Sequence, residues 1–151
     1  MKDQIRILTE IYQPEEVAAE SELDLVVPFT DPALTRAAVA AADRLGAGLR
    51  ATLRLVHVQL VPYPCDIDHP PVPLDFLREQ LESFRSVLPM QGEVRLARDF
   101  KQGLMTTLRA DSTVILASKK RLWTTRTERL AATLRRAGYR TILVFEGGHN
   151  A

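Results

Sequence analysis

Residues 118–123, read as Ser118, Lys119, Lys120, Arg121, Leu122 and Trp123, set three consecutive bases beside an indole ring. Side chains of these types can neutralise a phosphate and stack on a nucleobase. A competing reading makes this a solvated loop anchored in the core by Leu122 and Trp123. Asp31 follows a short apolar run and places a carboxylate at the end of a candidate strand. Cys65, Asp66, Asp68 and His69 crowd four metal-ligating side chains into a short stretch. Zinc sites ordinarily draw a second ligand pair from elsewhere, and the neighbouring prolines limit convergence, so no metal site is expected. His57 lies inside an apolar run and reads as a core histidine with satisfied polar atoms. There is no Gly-x-Ser-x-Gly elbow, His149 falls in the tail, and the only histidine near Cys65 in sequence is His69, so no catalytic residue is assigned.

A chain of 151 residues, 46% hydrophobic and 26% charged, has the length and composition of one globular core. Its single cysteine excludes an intramolecular disulfide. The first 22 residues contain no apolar run of signal-peptide length, and no segment is long and apolar enough to span a bilayer. A cytoplasmic location without a membrane partner is expected. The net charge of +1 hides an asymmetry. Asp3, Glu10, Glu15, Glu16, Glu20, Glu22 and Asp24 face only Lys2 and Arg6 at the start of the chain, whereas eight bases between 118 and 140 face Glu128 alone. The basic stretch could attract a polyanion, or it could neutralise the acidic arm within one molecule or across a dimer. Nucleic acid is not an expected partner, since the pI is 7.9 and no recognition-helix or RNA-binding signature occurs.

Strands are predicted over 23–29, 52–61, 93–98, 113–117 and 141–145. Between them, Thr30 and Asp31 cap a helix that opens on Pro32, runs through Leu34, Ala38, Ala41 and Leu45, and ends at Gly46 and Gly48. A proline-rich loop over 62–73 leads to a second helix, with Leu77, Leu81, Phe84 and Leu88 on one stripe, that stops before Pro89. Asp99 and Gln102 start a short helix with Phe100, Leu104 and Leu108 on its apolar face, and Thr125 with Glu128 forms a capping pattern ahead of Leu130, Ala131, Leu134 and Ala137. Alternating strands and helices define an α/β domain over 23–146, with a parallel sheet covered on both faces. Residues 1–22 form an acidic arm and 147–151 a tail. In the arm, Ile5, Ile7, Thr9 and Ile11 alternate as in a strand, while Ile5, Leu8 and Tyr12 fit a helical face; an added strand or an arm packed on the domain is favoured.

The segment Val26-Val27-Pro28-Phe29-Thr30-Asp31, its alanine-rich helix, and Leu55-Val56-His57-Val58 resemble the opening of a universal stress protein, and the element order matches that family over 23–146. The resemblance implies a flavodoxin/Rossmann-like, open five-stranded parallel sheet of order 3-2-1-4-5. It also implies a homodimer paired through the last strand, which makes Thr141, Ile142, Leu143, Val144 and Phe145 candidate interface residues. In ATP-binding members an aspartate after the first strand meets the nucleoside, and Asp31 occupies the similar position. Their phosphate motif, Gly-x2-Gly-x9-Gly-Ser/Thr after the fourth strand, is replaced here. Ala117 and Lys120 stand for its first two glycines, and Glu128 and Arg129 for its final pair. Thr30, Asp31, Ala117, Ser118, Lys119, Lys120 and Arg121 are therefore the candidate ligand residues. The resemblance, without its glycines, implies a non-catalytic domain acting through dimerisation or a protein partner, with no cofactor. The alternative is a nucleotide-binding stress regulator or weak ATPase that holds ATP with the basic loop.

Overall fold

The computed structural model describes residues 5–12, 23–63, 65–66 and 73–146. Six strands form one sheet, β1 (Ile5–Tyr12), β2 (Leu23–Pro28), β3 (Ala51–Leu60), β4 (Met90–Ala97), β5 (Ser112–Lys119) and β6 (Arg140–Glu146), in the order β1-β4-β3-β2-β5-β6. All pairings among β2 to β6 are parallel, so these five strands have the expected order 3-2-1-4-5. β1 adds an antiparallel edge against β4, matching Ile5 to Ala97 and Tyr12 to Gly92 with a register shift between Arg6 and Glu10.

Four helices connect the strands: α1 (Pro32–Gly46), α2 (Leu74–Glu82), α3 (Phe100–Met105) and α4 (Arg126–Arg136). Strand alternation divides the core in two. Leu25, Val27, Leu53 and Leu55 join Val39, Ala42, Leu77 and Leu81 on the α1/α2 face. Val26, Val56, Val114 and Leu116 join Leu104, Ala131 and Leu134 on the α3/α4 face. β3 lies inside the sheet between β4 and β2 with helices over both faces, which is why its residues are buried from Ala51 to Val56.

The starts of α1, α3 and α4 carry the expected capping side chains, while α2 begins after Pro73 without one. Asp31 accepts a hydrogen bond from the Leu34 amide, Asp99 from Gln102, and Thr125 and Glu128 form a reciprocal capping box. Gly48 and Gly138 follow α1 and α4 with φ of 77° and 98°, a left-handed conformation that other residues resist. Two expectations about helix ends are corrected. α2 stops at Glu82 rather than before Pro89, because Ser83 and Phe84 turn back onto the Gln80 and Leu81 carbonyls; Phe84 still packs in the core from outside the helix. Leu45, placed on the apolar stripe of α1, is 40% exposed.

The apolar runs also contain a buried ionic cluster that the strand reading passed over. Arg54 of β3 donates to both carboxylate oxygens of Asp24 at 2.8 and 3.0 Å and lies 3.4 Å from Glu93 of β4. Ser112 of β5 donates to Asp24 at 2.6 Å. By alternation these residues share the α3/α4 face, at the amino-terminal ends of the strands. Asp24, counted above with the acidic arm, is therefore a core residue.

Candidate functional site

The opposite, carboxyl-terminal ends of β2, β3 and β5 open into a broad crevice of about 830 Å³. It lies where the chain order reverses, since β2 sits between β3 and β5 and the following helices α1 and α4 leave on opposite faces. Open α/β sheets bind ligands at such a point. Phe29, Leu34, His57, Val58, Leu60, Phe100 and Leu130 supply apolar wall, and Lys101, Lys119, Arg121, Arg126 and Arg129 supply positive charge.

Thr30, Asp31, Ser118, Lys119 and Arg121 of the expected set line this crevice. Ala117 does not. It is 3% exposed and turns into the α1/α2 core, one residue out of phase with Ser118. Lys120 points to solvent beyond the lining. The lining residues from α3 and α4 were not legible from the loop motif, because their approach depends on how both helices cross the sheet. For Arg126 and Arg129 of α4 the signal was the density of bases between 118 and 140.

Several main-chain donors at both helix starts are engaged by the chain's own groups. At α1 the Leu34 amide bonds the Asp31 carboxylate at 2.9 Å, the Thr30 amide bonds the Thr35 hydroxyl at 3.0 Å, and the Thr35 amide bonds the Asp31 carbonyl at 2.8 Å. At α4 the Thr125 amide donates to the Glu128 carboxylate at 2.8 Å, and the Glu128 amide donates to the Thr125 hydroxyl at 3.1 Å. A carboxylate thus sits at each helix start where a phosphate would otherwise find amides and a favourable dipole.

Ser118 and Thr125 share a hydroxyl hydrogen bond of 2.7 Å. This contact pinches the connection from β5 to α4 at its base and directs its middle outward. Leu122 is consequently 97% exposed and Trp123 69% exposed, which corrects the expectation that they anchor the loop in the core.

His57 also differs from expectation. Its ring lies 5.0 Å from that of Phe29, but Nδ1 is buried without a hydrogen-bond partner. Residue 57 lies where β3 emerges from between the helices into the crevice, and no polar group there meets Nδ1. Burial depresses its pKa and outweighs the opposing hydrogen bond with Gln59, which keeps the imidazole neutral at pH 7. Among the described residues no group of three or more His, Cys, Asp or Glu side chains could hold a metal ion; Asp68 and His69 lie outside them.

The candidate interface strand β6 pairs with β5 along one side and forms the edge of the sheet. Thr141 is buried, Ile142 and Val144 pack on the α1/α2 core, and Leu143 packs on the other face. Phe145 is 44% exposed. The strand therefore presents main-chain groups and Phe145 outward more than an apolar row.

β1 occupies the far edge, four strand spacings or roughly 19 Å from β5. That exceeds the screening length of about 8 Å at physiological salt. Glu10, the acid on β1, belongs to a strand at that distance from the basic loop of the same copy; Asp3, Glu15, Glu16, Glu20 and Glu22 lie outside the described residues. No helix among the described residues is long and apolar enough to cross a membrane.

A scan of the sequence against protein-family models gives no match, and a search of curated proteins gives none at a significant level.

Proposed function

We propose that this chain is a non-catalytic binding domain of the universal-stress-protein type whose crevice takes a small organic anion through side chains rather than through a main-chain phosphate cradle. One observation carries the reading: the crevice combines an apolar wall with five bases, while Asp31 and Glu128 close the two helix starts beside it. Such a surface favours a compact anion with an apolar or aromatic body over a nucleoside triphosphate, whose several charges require convergent amide donors or a metal. The groups of catalytic type have structural work instead, Ser118 bonding Thr125 and Asp31 capping α1.

Anilinonaphthalenesulfonate, an aromatic anion, is a suitable probe. Its fluorescence should rise saturably with the native protein, and its affinity should fall by roughly tenfold when Lys119 and Arg121 are both replaced by Ala, the loss of about 1.4 kcal/mol. Millimolar ATP with Mg²⁺ should neither compete nor raise the melting temperature. Saturable, competing ATP binding would favour the nucleotide-regulator alternative and sink the side-chain reading.

The same domain acts as a homodimer through β6, a reading supported by the open edge of that strand and the exposed Phe145 ring.

A further inference from the structure

The carboxyl-terminal end of the sheet carries a second feature beside the crevice, an apolar apex that shares the crevice's bases. Leu122 and Trp123 project together from the apex of the β5–α4 connection, 97% and 69% exposed. Leu60 and Tyr63, which follow the carboxyl end of β3, are 43% and 70% exposed at the same end of the sheet. Arg98 holds Tyr63 from below: its guanidinium lies 4.2 Å from the ring centroid and donates to the Val61 and Cys65 carbonyls at 2.8 Å.

Positive charge surrounds the apex. Lys119, Lys120 and Arg121 precede it, and Arg126 and Arg129 follow it, all exposed. The nearby acids are Asp31, committed to the α1 cap, Glu128, committed to the α4 cap, and Glu146, the register partner of Lys119 at the end of β6.

We propose that this end of the molecule docks on an anionic lipid surface, with Leu122 and Trp123 entering the headgroup boundary and the flanking bases holding acidic headgroups. Charge complementarity sets the sign of the partner, and the apex sets its kind. A protruding aliphatic side chain gains nothing from a single-stranded nucleic acid, which would stack on Trp123 and leave Leu122 in water. A folded acidic protein would need a pocket shaped to the apex. A bilayer boundary accepts any projecting apolar pair, and Trp and Tyr are the side chains enriched there. Peripheral binding needs no spanning helix. Stable attachment needs two signals acting together, and an apolar tip with a basic surround provides them.

Trp123 is the chain's only tryptophan, so its emission reports the contact directly. The full chain would be titrated with phosphatidylcholine vesicles containing about 30% phosphatidylserine, with vesicles of phosphatidylcholine alone, and with oligothymidylate, each followed by emission and co-sedimentation. The expected result is a blue shift and pelleting with acidic vesicles only. Leu122→Ser should weaken this by roughly tenfold, and Lys120→Glu combined with Arg121→Glu by more; about 0.5 M salt should release the protein. These positions are exposed, so the substitutions should leave the melting temperature unchanged, which keeps a loss of binding separate from a loss of fold. Three results would each overturn the proposal: no shift with acidic vesicles, equal binding to neutral vesicles, or a Trp123 response to oligothymidylate at lower concentration than to vesicles. A fourth would do the same, namely self-association abolished by Trp123→Ser, which would make the apex a contact between copies.

Discussion

Arg54 shows how much a single side chain can govern in this sheet. It is 5% exposed in an interior strand, and its charge is matched by Asp24 on one neighbour and Glu93 on the other. Burial alone would raise the Asp24 pKa, but hydrogen bonds from Arg54 and Ser112 outweigh it and hold the carboxyl below its ordinary value. The folded pKa is thus depressed, so the unfolded chain takes up the proton first as pH falls. The stabilisation is full above about pH 4 and is lost as pH drops through the folded pKa. Arg54→Met removes the cation and leaves two buried carboxylates, at a cost of about 3 to 5 kcal/mol at neutral pH. In that variant burial acts on Asp24 without its partner and the linkage changes sign: the folded state binds the proton more tightly, so acidification restores part of the stability. Urea midpoints at pH 7 and near pH 5 test this, and a destabilisation that is the same at both would refute the account. The pair had a trace in the sequence, because Asp24 and Arg54 are the charges that interrupt the two apolar strand runs. Which neighbour each would meet depended on register, and register is a property of the assembled sheet.

At the level of elements, what could be read locally was read well. Asp31, Asp99 and Thr125 with Glu128 signal helix starts through contacts spanning three residues, and such contacts do not depend on tertiary packing. Helix ends and loop directions were harder, since they follow from contacts made at a distance. The stripe through Phe84 and Leu88 remains apolar after α2 has ended, because the segment beyond Glu82 still covers the sheet. Leu122 and Trp123 looked like anchors and are exposed, because the Ser118–Thr125 hydrogen bond turns the loop outward. Gly103 in α3 carries a similar hidden constraint. A Cβ there would lie 2.8 Å from both the Ala97 Cβ and a Val58 methyl, so α3 approaches β3 and β4 as closely as it does only because the side chain is missing. Helix propensity alone predicts that Gly103→Ala stabilises by about 1 kcal/mol. Overpacking in a closed core costs about 1 to 3 kcal/mol and should dominate. Chemical denaturation should show a lower midpoint with an unchanged slope; a raised midpoint would mean that α3 shifts outward at little cost.

At the scale of the whole molecule, the alternation of apolar strands with capped helices contained the parallel sheet covered on both faces, whereas the order 3-2-1-4-5 was implied by the family resemblance and is the order of β2 to β6 in the structure. The antiparallel placement of β1 beyond β4 was not contained in it, since the arm's alternation says nothing about which edge it joins. That placement has a consequence for assembly. β1 covers one edge of the parallel strands and leaves β6 as the edge on the other side, next to the strand that feeds the basic loop. An open strand offers unpaired amides and carbonyls to a second copy, and a two-fold axis beside β6 would continue the sheet through both subunits. Ile142, Leu143 and Val144 are half-buried in their own core, so the association would rest on main-chain hydrogen bonds and on Phe145. Phe145→Glu would then place like charges opposite one another across the axis without disturbing either core face. Sedimentation velocity at tens of micromolar should give a dimer for the native chain and a monomer for the variant, with the same far-ultraviolet spectrum. A native chain that stays monomeric at that concentration removes β6 as an interface, and a variant that stays dimeric moves the interface to another surface.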